Sequence, residues 1–176
     1  VALGDVVAGI RLPEMVLIGE SNREAGNLLQ DIWGQVFKFG YNTNWPSGQT
    51  RLFRTNFWNA ELAKLLLNSY ITMKITFANQ IAELCEKVPG GDCDVVSEIL
   101  GADDRIGRKC LTGGLGYGGP CFPRDVKAMV ACGAGLDVTV GLPMAADMVK
   151  ERTETRVLEL AMQKIGWRDG VTVAIL

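Results

Sequence analysis

The stretch NFWNAELAKLLLNSYITMKITFANQIAELCEKV, residues 56–88, runs without an interior glycine or proline. Apolar residues recur in it at spacings of three and four, which predicts one helix of ~48 Å. That length exceeds the width of a small domain. Because the apolar positions cover much of the circumference, we expect a central helix that its own domain buries on one side and a second subunit on another.

A second stretch, GGLGYGGPCFPRD at residues 113–125, places five glycines within seven residues and then a cysteine between two prolines. Glycines favour a loop that approaches a ligand closely, and proline suits the first turn of a helix, so a helix should begin near Cys121. The partial positive charge of a helix N-terminus favours thiolate over thiol, which makes Cys121 a candidate nucleophile. Asp125 would share its helix face and could hold a water or accept a proton. The alternative is a small buried cysteine beside an ordinary turn.

The bulk composition excludes several classes of protein and site. The chain has 176 residues, 48% of them hydrophobic, enough for one domain with parts of its neighbours. A net charge of −2 without blocks of like charge gives no reason to expect nucleic acid or a membrane as partner. The chain lacks histidine, which removes histidine-based catalysis. Its five cysteines lack zinc-site spacing, so we expect no metal site, reduced thiols and a cytoplasmic protein.

The remaining pattern predicts shorter elements before and after the long helix. Residues 1–14 show no clear period. The other expected elements are a strand at 15–19, a helix capped by Ser21 or Asn22 and running to Phe39, a polar loop at 40–48, a possible strand at 50–54, a helix from Asp92 or Asp94 to Leu100, a helix from Pro143 to Ile165, and a strand at 171–176. So few strands predict a fragment flanked by α/β domains at both ends.

Three polar side chains outside the glycine stretch are candidates for binding. Lys64 and Asn68 are four residues apart, so the predicted helix places a cation and an amide on one face. The plain alternative is a solvated lysine beside an asparagine. Arg105 has a planar fork that suits phosphate or hydroxyl groups, although such an arginine is more often a surface residue paired with a nearby aspartate.

Taken in order, these residues closely resemble the UDP-glucose/GDP-mannose dehydrogenase family, most densely over residues 55–135. The resemblance rests on Glu61, Lys64, Asn68, Lys74-Ile75, Asn79, Leu84-Cys85-Glu86, Asp104-Arg105-Ile106-Gly107 and Gly116-Tyr117-Gly118-Gly119-Pro120-Cys121-Phe122-Pro123-Arg124-Asp125.

The resemblance implies a mainly α fold, a helical dimerisation domain like the C-terminal domain of 6-phosphogluconate dehydrogenase, with short strands left from flanking α/β domains. The implied divisions are the end of an NAD-binding domain at 1–50, a central catalytic and dimerisation domain at 51–142, a bridging helix at 143–170, and the first strand of a sugar-nucleotide-binding domain at 171–176. It also implies a homodimer through the long central helix.

The activity that the resemblance implies is oxidation of the C6 alcohol of a nucleotide sugar to a carboxylate with two NAD. Cys121 would trap the intermediate aldehyde as a thiohemiacetal, which becomes a thioester that water cleaves. Lys64 and Asn68 would stabilise negative charge on the C6 oxygen, and Asp125 would position or deprotonate a water.

The implied binding residues lie in the two loops and at the helix start. Arg105 would reach the sugar of the partner subunit's site, and Arg124, in place of a lysine, would lie close to NAD. The loop from Thr112 to Gly118 would line the sugar-nucleotide site through Thr112, Gly116, Tyr117 and Gly118.

The sequence departs from the family pattern at three positions. Pro120 replaces a serine, Lys150 stands where asparagine is common, and Leu3 occupies a position where UDP-glucose enzymes often have a water-handling glutamate. The last difference leaves the hydrolytic step and the identity of the sugar open. Two other readings also stay open: a non-catalytic helical dimerisation module, and the helical domain of a hydroxyacid dehydrogenase, which would not use the cysteine.

Overall fold

The computed structural model describes residues 6–11, 13–39, 51–166 and 169–174. Helices dominate, as predicted, and the only strands in these ranges form a single pair. The elements are α1 (Val6–Arg11), β1 (Met15–Gly19), α2 (Arg23–Phe39), β2 (Arg51–Thr55), α3 (Phe57–Cys85), α4 (Cys93–Gly101), α5 (Phe122–Gly135) and α6 (Gly141–Ile165). The chain divides into two compact units, residues 1–64 and 65–176, and the boundary falls within α3.

The first unit contains a parallel strand pair connected through α2. Met15 lies opposite Arg51 and Gly19 opposite Thr55, so both predicted strands are confirmed. The helix between them begins where expected, because the Asn22 side-chain oxygen accepts a hydrogen bond from the Ala25 N–H at 2.8 Å.

The long helix α3 is confirmed over 29 residues. Asn56 caps it by accepting a hydrogen bond from the Asn59 N–H at 2.9 Å. It ends before Pro89, and Gly90 then takes a φ of 76°, which glycine adopts without strain.

In the second unit, the buried positions of α3 are mostly polar or small. Its buried residues there are Asn68, Ser69, Thr72, Thr76, Ala78, Asn79 and Ile81. Large apolar residues of the same helix remain exposed, namely Leu66, Leu67, Tyr70, Phe77 and Leu84. The helix therefore turns a polar face toward its own unit and leaves an apolar one uncovered.

The core of the second unit joins the glycine loop, residues 113–119, to α5 and α6. Its buried centre consists of Tyr117, Val126 and Ala146. Ion pairs then tie α6 to α3: Arg152 contacts Glu83 at 3.0 Å, and Arg156 contacts Glu86. The apolar core and the ion pairs together hold the glycine loop between α3 and α6.

Three sequence predictions differ from the structure. Residues 6–11 form α1 although no period was visible, because six residues span fewer than two turns. The helix predicted from Pro143 begins at Gly141, since a proline within the first turn removes no helical hydrogen bond. The strand predicted at 171–176 is wrong over 171–174, because no described strand pairs with it.

Two other predictions fall outside the described residues, the polar loop at 40–48 and the substitution at Leu3. The four domain divisions stay predictions. Over the described ranges, none of the helices is both long and apolar enough to cross a membrane.

Candidate functional site

The glycine loop is held against α3 by one side chain. The buried Asn79 amide accepts a hydrogen bond from the Gly114 N–H at 2.8 Å and donates one to the Leu115 carbonyl at 3.1 Å. Gly113 approaches α3 so closely that an added Cβ would lie 2.7 Å from Cβ of Ala82. The sequence predicted a loop here, and the close approach explains why it needs a glycine.

Tyr117 belongs to the core rather than to an open surface. Its side chain is buried, and its hydroxyl donates a hydrogen bond to Oδ1 of Asp147 at 2.9 Å. Burial, and then the neighbouring Asp147 carboxylate, raise the pKa of Tyr117 well above its ordinary value. The Lys150 ammonium lies 5.9 Å from the ring centroid. Tyr117 was predicted to bind substrate. In this structure its ring packs in the core and holds the glycine loop in place.

Cys121 directly precedes α5, which begins where the flanking prolines predicted, and its side chain makes no capping hydrogen bond. Its thiol is exposed, and its backbone carbonyl accepts a hydrogen bond from the Asp125 N–H at 2.8 Å. Pro123 occupies the first turn, where its missing N–H costs nothing. An accessible cysteine at a helix start is one of the environments in which cysteine nucleophiles are found.

The buried Asp125 carboxylate connects the start of α5 to α3. Its Oδ2 accepts a hydrogen bond from Nδ2 of Asn68 at 2.6 Å. Its Oδ1 accepts from Nε of Arg124 at 2.9 Å, and Nη2 of Arg124 lies 2.8 Å from the same oxygen. Asn68, Asp125, Arg124 and Cys121 thus lie together around the start of α5.

The sequence analysis did not predict the hydrogen bonds within this cluster of Asn68, Cys121, Arg124 and Asp125. It assigned Asn68 and Asp125 to one site, but not as partners, and it placed Arg124 near a cofactor. The available signal in the sequence was an arginine directly before an aspartate. The hydrogen bond with Asp125 and the charges of Asp125 and Cys121 raise the pKa of Arg124.

Lys64 lies one helical turn before Asn68 in α3 and is the last residue of the first compact unit. Its predicted role on the C6 oxygen stays a prediction.

Arg105, another predicted binding residue, has a partner of its own. Arg105 is 88% exposed at its side chain and pairs with Asp103 at 2.6 Å. In this chain Arg105 is therefore a surface residue that forms an ion pair with a nearby aspartate. Lys74 holds the same turn by donating hydrogen bonds to the carbonyls of Ile106 and Gly107, at 2.9 and 3.0 Å.

Three predicted loop residues differ in their surroundings. Thr112 accepts a hydrogen bond from Nη1 of Arg108 at 3.1 Å. An added Cβ at Gly116 would lie 2.9 Å from Cγ of Lys150, whereas one at Gly118 would meet nothing within 4 Å. Gly118 is thus the more open of the two glycines.

The described residues do not provide the glycine-rich turn that holds a dinucleotide pyrophosphate. The turn after β1 instead carries Glu20, whose carboxylate pairs with Arg54 at 2.7 Å. That carboxylate fills the space beside Gly26, where an added Cβ would lie 1.4 Å from it. A pyrophosphate at this turn would meet negative charge. No group of three potential metal ligands occurs among the described residues.

The family comparison matches residues 58–152 to the central domain of the UDP-glucose/GDP-mannose dehydrogenase family. The chain belongs to this family. The matched range contains all of α3 except Phe57, the glycine loop, and Asn68, Cys121, Arg124 and Asp125. The family prediction made from the motifs is therefore confirmed.

Relatives within the UDP-glucose/GDP-mannose dehydrogenase family cover much more sequence than this chain. A UDP-glucose 6-dehydrogenase of Bacillus subtilis is 29% identical over 163 residues, which are 93% of this chain and 34% of the relative. UDP-glucose 6-dehydrogenase 4 of Arabidopsis thaliana is 35% identical over 152 residues, 85% of this chain and 29% of the relative. The chain thus spans about a third of the length of the relatives it matches.

A solved structure has the same fold. It is a UDP-glucose dehydrogenase from the hyperthermophilic archaeon Pyrobaculum islandicum, with a TM-score of 0.78 and 29% sequence identity. The match covers 91% of this chain and 34% of that one. The mainly helical fold class predicted from the family resemblance is confirmed.

Proposed function

We propose that this chain supplies the cysteine-bearing central part of an NAD-dependent nucleotide-sugar 6-dehydrogenase. The observation that carries the proposal is the exposed Cys121 thiol at the start of α5, beside the buried pair of Asn68 and Asp125. The printed names of the relatives support a UDP-glucose-like sugar as the substrate.

The role of Cys121 follows from the chemistry of a C6 alcohol. The first oxidation removes a hydride and a proton and leaves an aldehyde. The Cys121 sulfur then bonds to the aldehyde carbon, and its proton ends on the former carbonyl oxygen. A second oxidation leaves a thioester, and water then breaks the carbon–sulfur bond to give the acid and the free thiol. NAD, when bound, supplies the hydride acceptor.

The neighbouring side chains would stabilise charge and position water. The Asn68 amide and, one turn earlier, the Lys64 ammonium would favour negative charge on the C6 oxygen. Asp125 would position the water that releases the acid. The buried hydrogen bond between Asn68 and Asp125 supports these roles, because it fixes both polar groups before substrate arrives.

Substrate and cofactor binding need parts of the protein beyond this cluster. The nucleotide sugar would contact the loop from Thr112 to Gly118, and Arg105 would reach the site of a partner subunit. NAD would be bound mainly by an N-terminal NAD-binding domain, with Arg124 near it.

The uncovered apolar face of α3 supports a homodimer through the long helix. Tyr70 and Phe77 are more than half exposed, and both line a groove of 410 Å³ that is largely apolar. Exposed aromatic side chains beside an apolar groove are typical of subunit interfaces. Phe77→Glu should give monomers in sedimentation velocity, whereas Leu158→Glu on α6 should leave the dimer intact. Monomers in the unaltered protein would contradict the proposal.

The function is tested with the full-length protein. With UDP-glucose it should form two NADH per uronic acid, and Cys121→Ser should lower acid formation by about a thousandfold or more. Cys110→Ser, which alters another exposed thiol, is the matched control. Equal activity in Cys121→Ser, or no NADH with any UDP-sugar, would favour a non-catalytic dimerisation module.

A further inference from the structure

Lys150 is a largely buried cation on α6. Only 16% of its side chain is exposed, although lysine usually keeps its ammonium in water. The ammonium lies 2.6 Å from the carboxylate of Glu154, one turn further along the same helix. That carboxylate is 57% exposed, and an ion pair with an exposed partner contributes little to folding. The ion pair alone therefore does not explain why the lysine is buried.

The glycine loop forms much of the surroundings of Lys150. A Cβ added at Gly116 would lie 2.9 Å from Cγ of Lys150 and 3.6 Å from its backbone carbonyl oxygen. The ammonium of the same side chain lies 5.9 Å from the centroid of the Tyr117 ring. The stem and the charged end of one side chain therefore pack against two consecutive residues of the loop.

A second residue of α6 restrains the same ring. Asp147 precedes Lys150 by three residues, a spacing that places both on one side of the helix. Oδ1 of Asp147 accepts the 2.9 Å hydrogen bond from the Tyr117 hydroxyl. A cation beside the ring and an acceptor at its hydroxyl restrain both its position and its rotation. Asn79 on α3 binds the loop at residues 114 and 115, so α6 holds the next two residues.

We infer that Lys150 is a positioning residue that holds Gly116 and Tyr117 from α6, in the conformation in which the glycine loop binds substrate. The substrate part rests on the proposed function, in which this loop lines the nucleotide-sugar site. The contacts themselves lie within this chain and need no ligand. Since these contacts are made to the loop, Lys150 influences how tightly the nucleotide sugar binds more than the rate of the chemical step.

Lys150→Met tests the positioning without any ligand. Methionine keeps an unbranched stem beside Gly116 and removes the ammonium from the Tyr117 ring. Hydrogen–deuterium exchange read by peptide mass spectrometry should become about fivefold faster over residues 113–119, because the loop opens more often. The helix α4 is the internal reference and should exchange at an unchanged rate, since a general loss of stability would speed exchange in both segments.

Two further variants assign the effect to the charge. Lys150→Arg keeps a cation, and a guanidinium also stacks on aromatic rings, so it should restore most of the protection. Lys164→Met makes the same change at an exposed position near the end of α6 and should leave exchange in the loop unchanged.

Steady-state kinetics of the full-length protein test the effect on binding. With UDP-glucose, Lys150→Met should raise KM by about fivefold and change kcat by less than about twofold. A variant that merely folded less well would lower the apparent kcat through loss of active protein and leave KM unchanged.

Unchanged loop exchange in Lys150→Met, or an equal increase in α4, would overturn the inference. Failure of Lys150→Arg to restore protection would count against an effect of the charge. Faster loop exchange with an unchanged KM would refute the link to substrate binding. A protein that shows the faster exchange but oxidises no nucleotide sugar would refute the proposed dehydrogenase and leave the positioning of the loop standing.

Discussion

The Asn68 amide donates a 2.6 Å hydrogen bond to the Asp125 carboxylate across 57 residues of sequence. Both residues are buried, and the bond joins the long helix α3 to the first turn of α5. Because Cys121 immediately precedes that turn, the position of the thiol depends on a polar contact and not only on apolar packing.

Removal of the amide should therefore destabilise the fold. Asn68→Ala leaves Oδ2 of the buried Asp125 without this donor, and a hydrogen bond to a charged group contributes about 2 kcal/mol. We expect a loss of that size in the free energy of unfolding, measured in urea. Gln80→Ala, at an exposed position of the same helix, should change it by less than about 0.5 kcal/mol. Similar effects of the two substitutions would show that the buried contact is unimportant.

The two adjacent glycines Gly113 and Gly114 should respond differently to alanine. A methyl group at Gly113 would lie 2.7 Å from Cβ of Ala82, a short side chain that cannot move away, whereas one at Gly114 meets nothing within 4 Å. Overpacking of this kind costs about 1–3 kcal/mol. Thermal unfolding should show a clear loss for Gly113→Ala and little change for Gly114→Ala. The reverse order would mean that the loop does not pack against α3 in this way.

Tyr117 should make the fold sensitive to alkaline pH. Its pKa is raised in the folded protein by burial and by Asp147, so the unfolded chain loses the phenolic proton first. The stability contributed by the neutral phenol is fully present below the unfolded pKa of about 10 and is lost as pH rises above it.

Tyr117→Phe isolates this effect. At pH 8 the variant should be less stable by about 1 kcal/mol, because the hydrogen bond to Asp147 is lost. Between about pH 10 and 12 the difference should shrink, since phenylalanine does not ionise. Urea unfolding of both proteins at pH 8 and 11 measures the change. A difference that stays constant with pH would contradict the assignment.

Arg105 should matter for function but not for stability. Its ion pair with Asp103 is exposed and close in sequence, and such pairs contribute little to folding. Arg105→Gln should leave the urea midpoint unchanged. If Arg105 reaches the sugar of a partner subunit, the same substitution should raise KM for the nucleotide sugar in the full-length protein. A lowered midpoint with an unchanged KM would assign it a structural role only.

Local features were predictable from the sequence because their causes are local. The length of α3 follows from a run without glycine or proline, and its cap is the polar Asn56 directly before it. The start of α5 follows from Pro123, and the short helix α4 follows from Asp92, whose carboxylate accepts hydrogen bonds from its first turn. Each signal lies within one or two turns of the structure it specifies.

Contacts between segments that are distant in the sequence could not be predicted from such local signals. The substrate-binding role that the family resemblance implies for Tyr117 stays a prediction, but the sequence did not indicate that its ring lies in the core or that its hydroxyl contacts Asp147 on α6. It left the target of Asn79 open, and the structure shows both amide atoms bound to the glycine loop. Helical spacing gives the direction of a side chain on its own helix but not the segment that packs against it.

By itself, the sequence determined the helices, the loop before Cys121 and the family, because glycine, proline and capping residues act over a few positions and the motif residues keep their order. Only the tertiary structure decided that α3 buries its polar face in the second unit, that Asn68 meets Asp125 and that Arg124 binds the same carboxylate. Those outcomes depend on which helix surfaces meet, and a buried polar group is stable only where its partner is supplied from another segment.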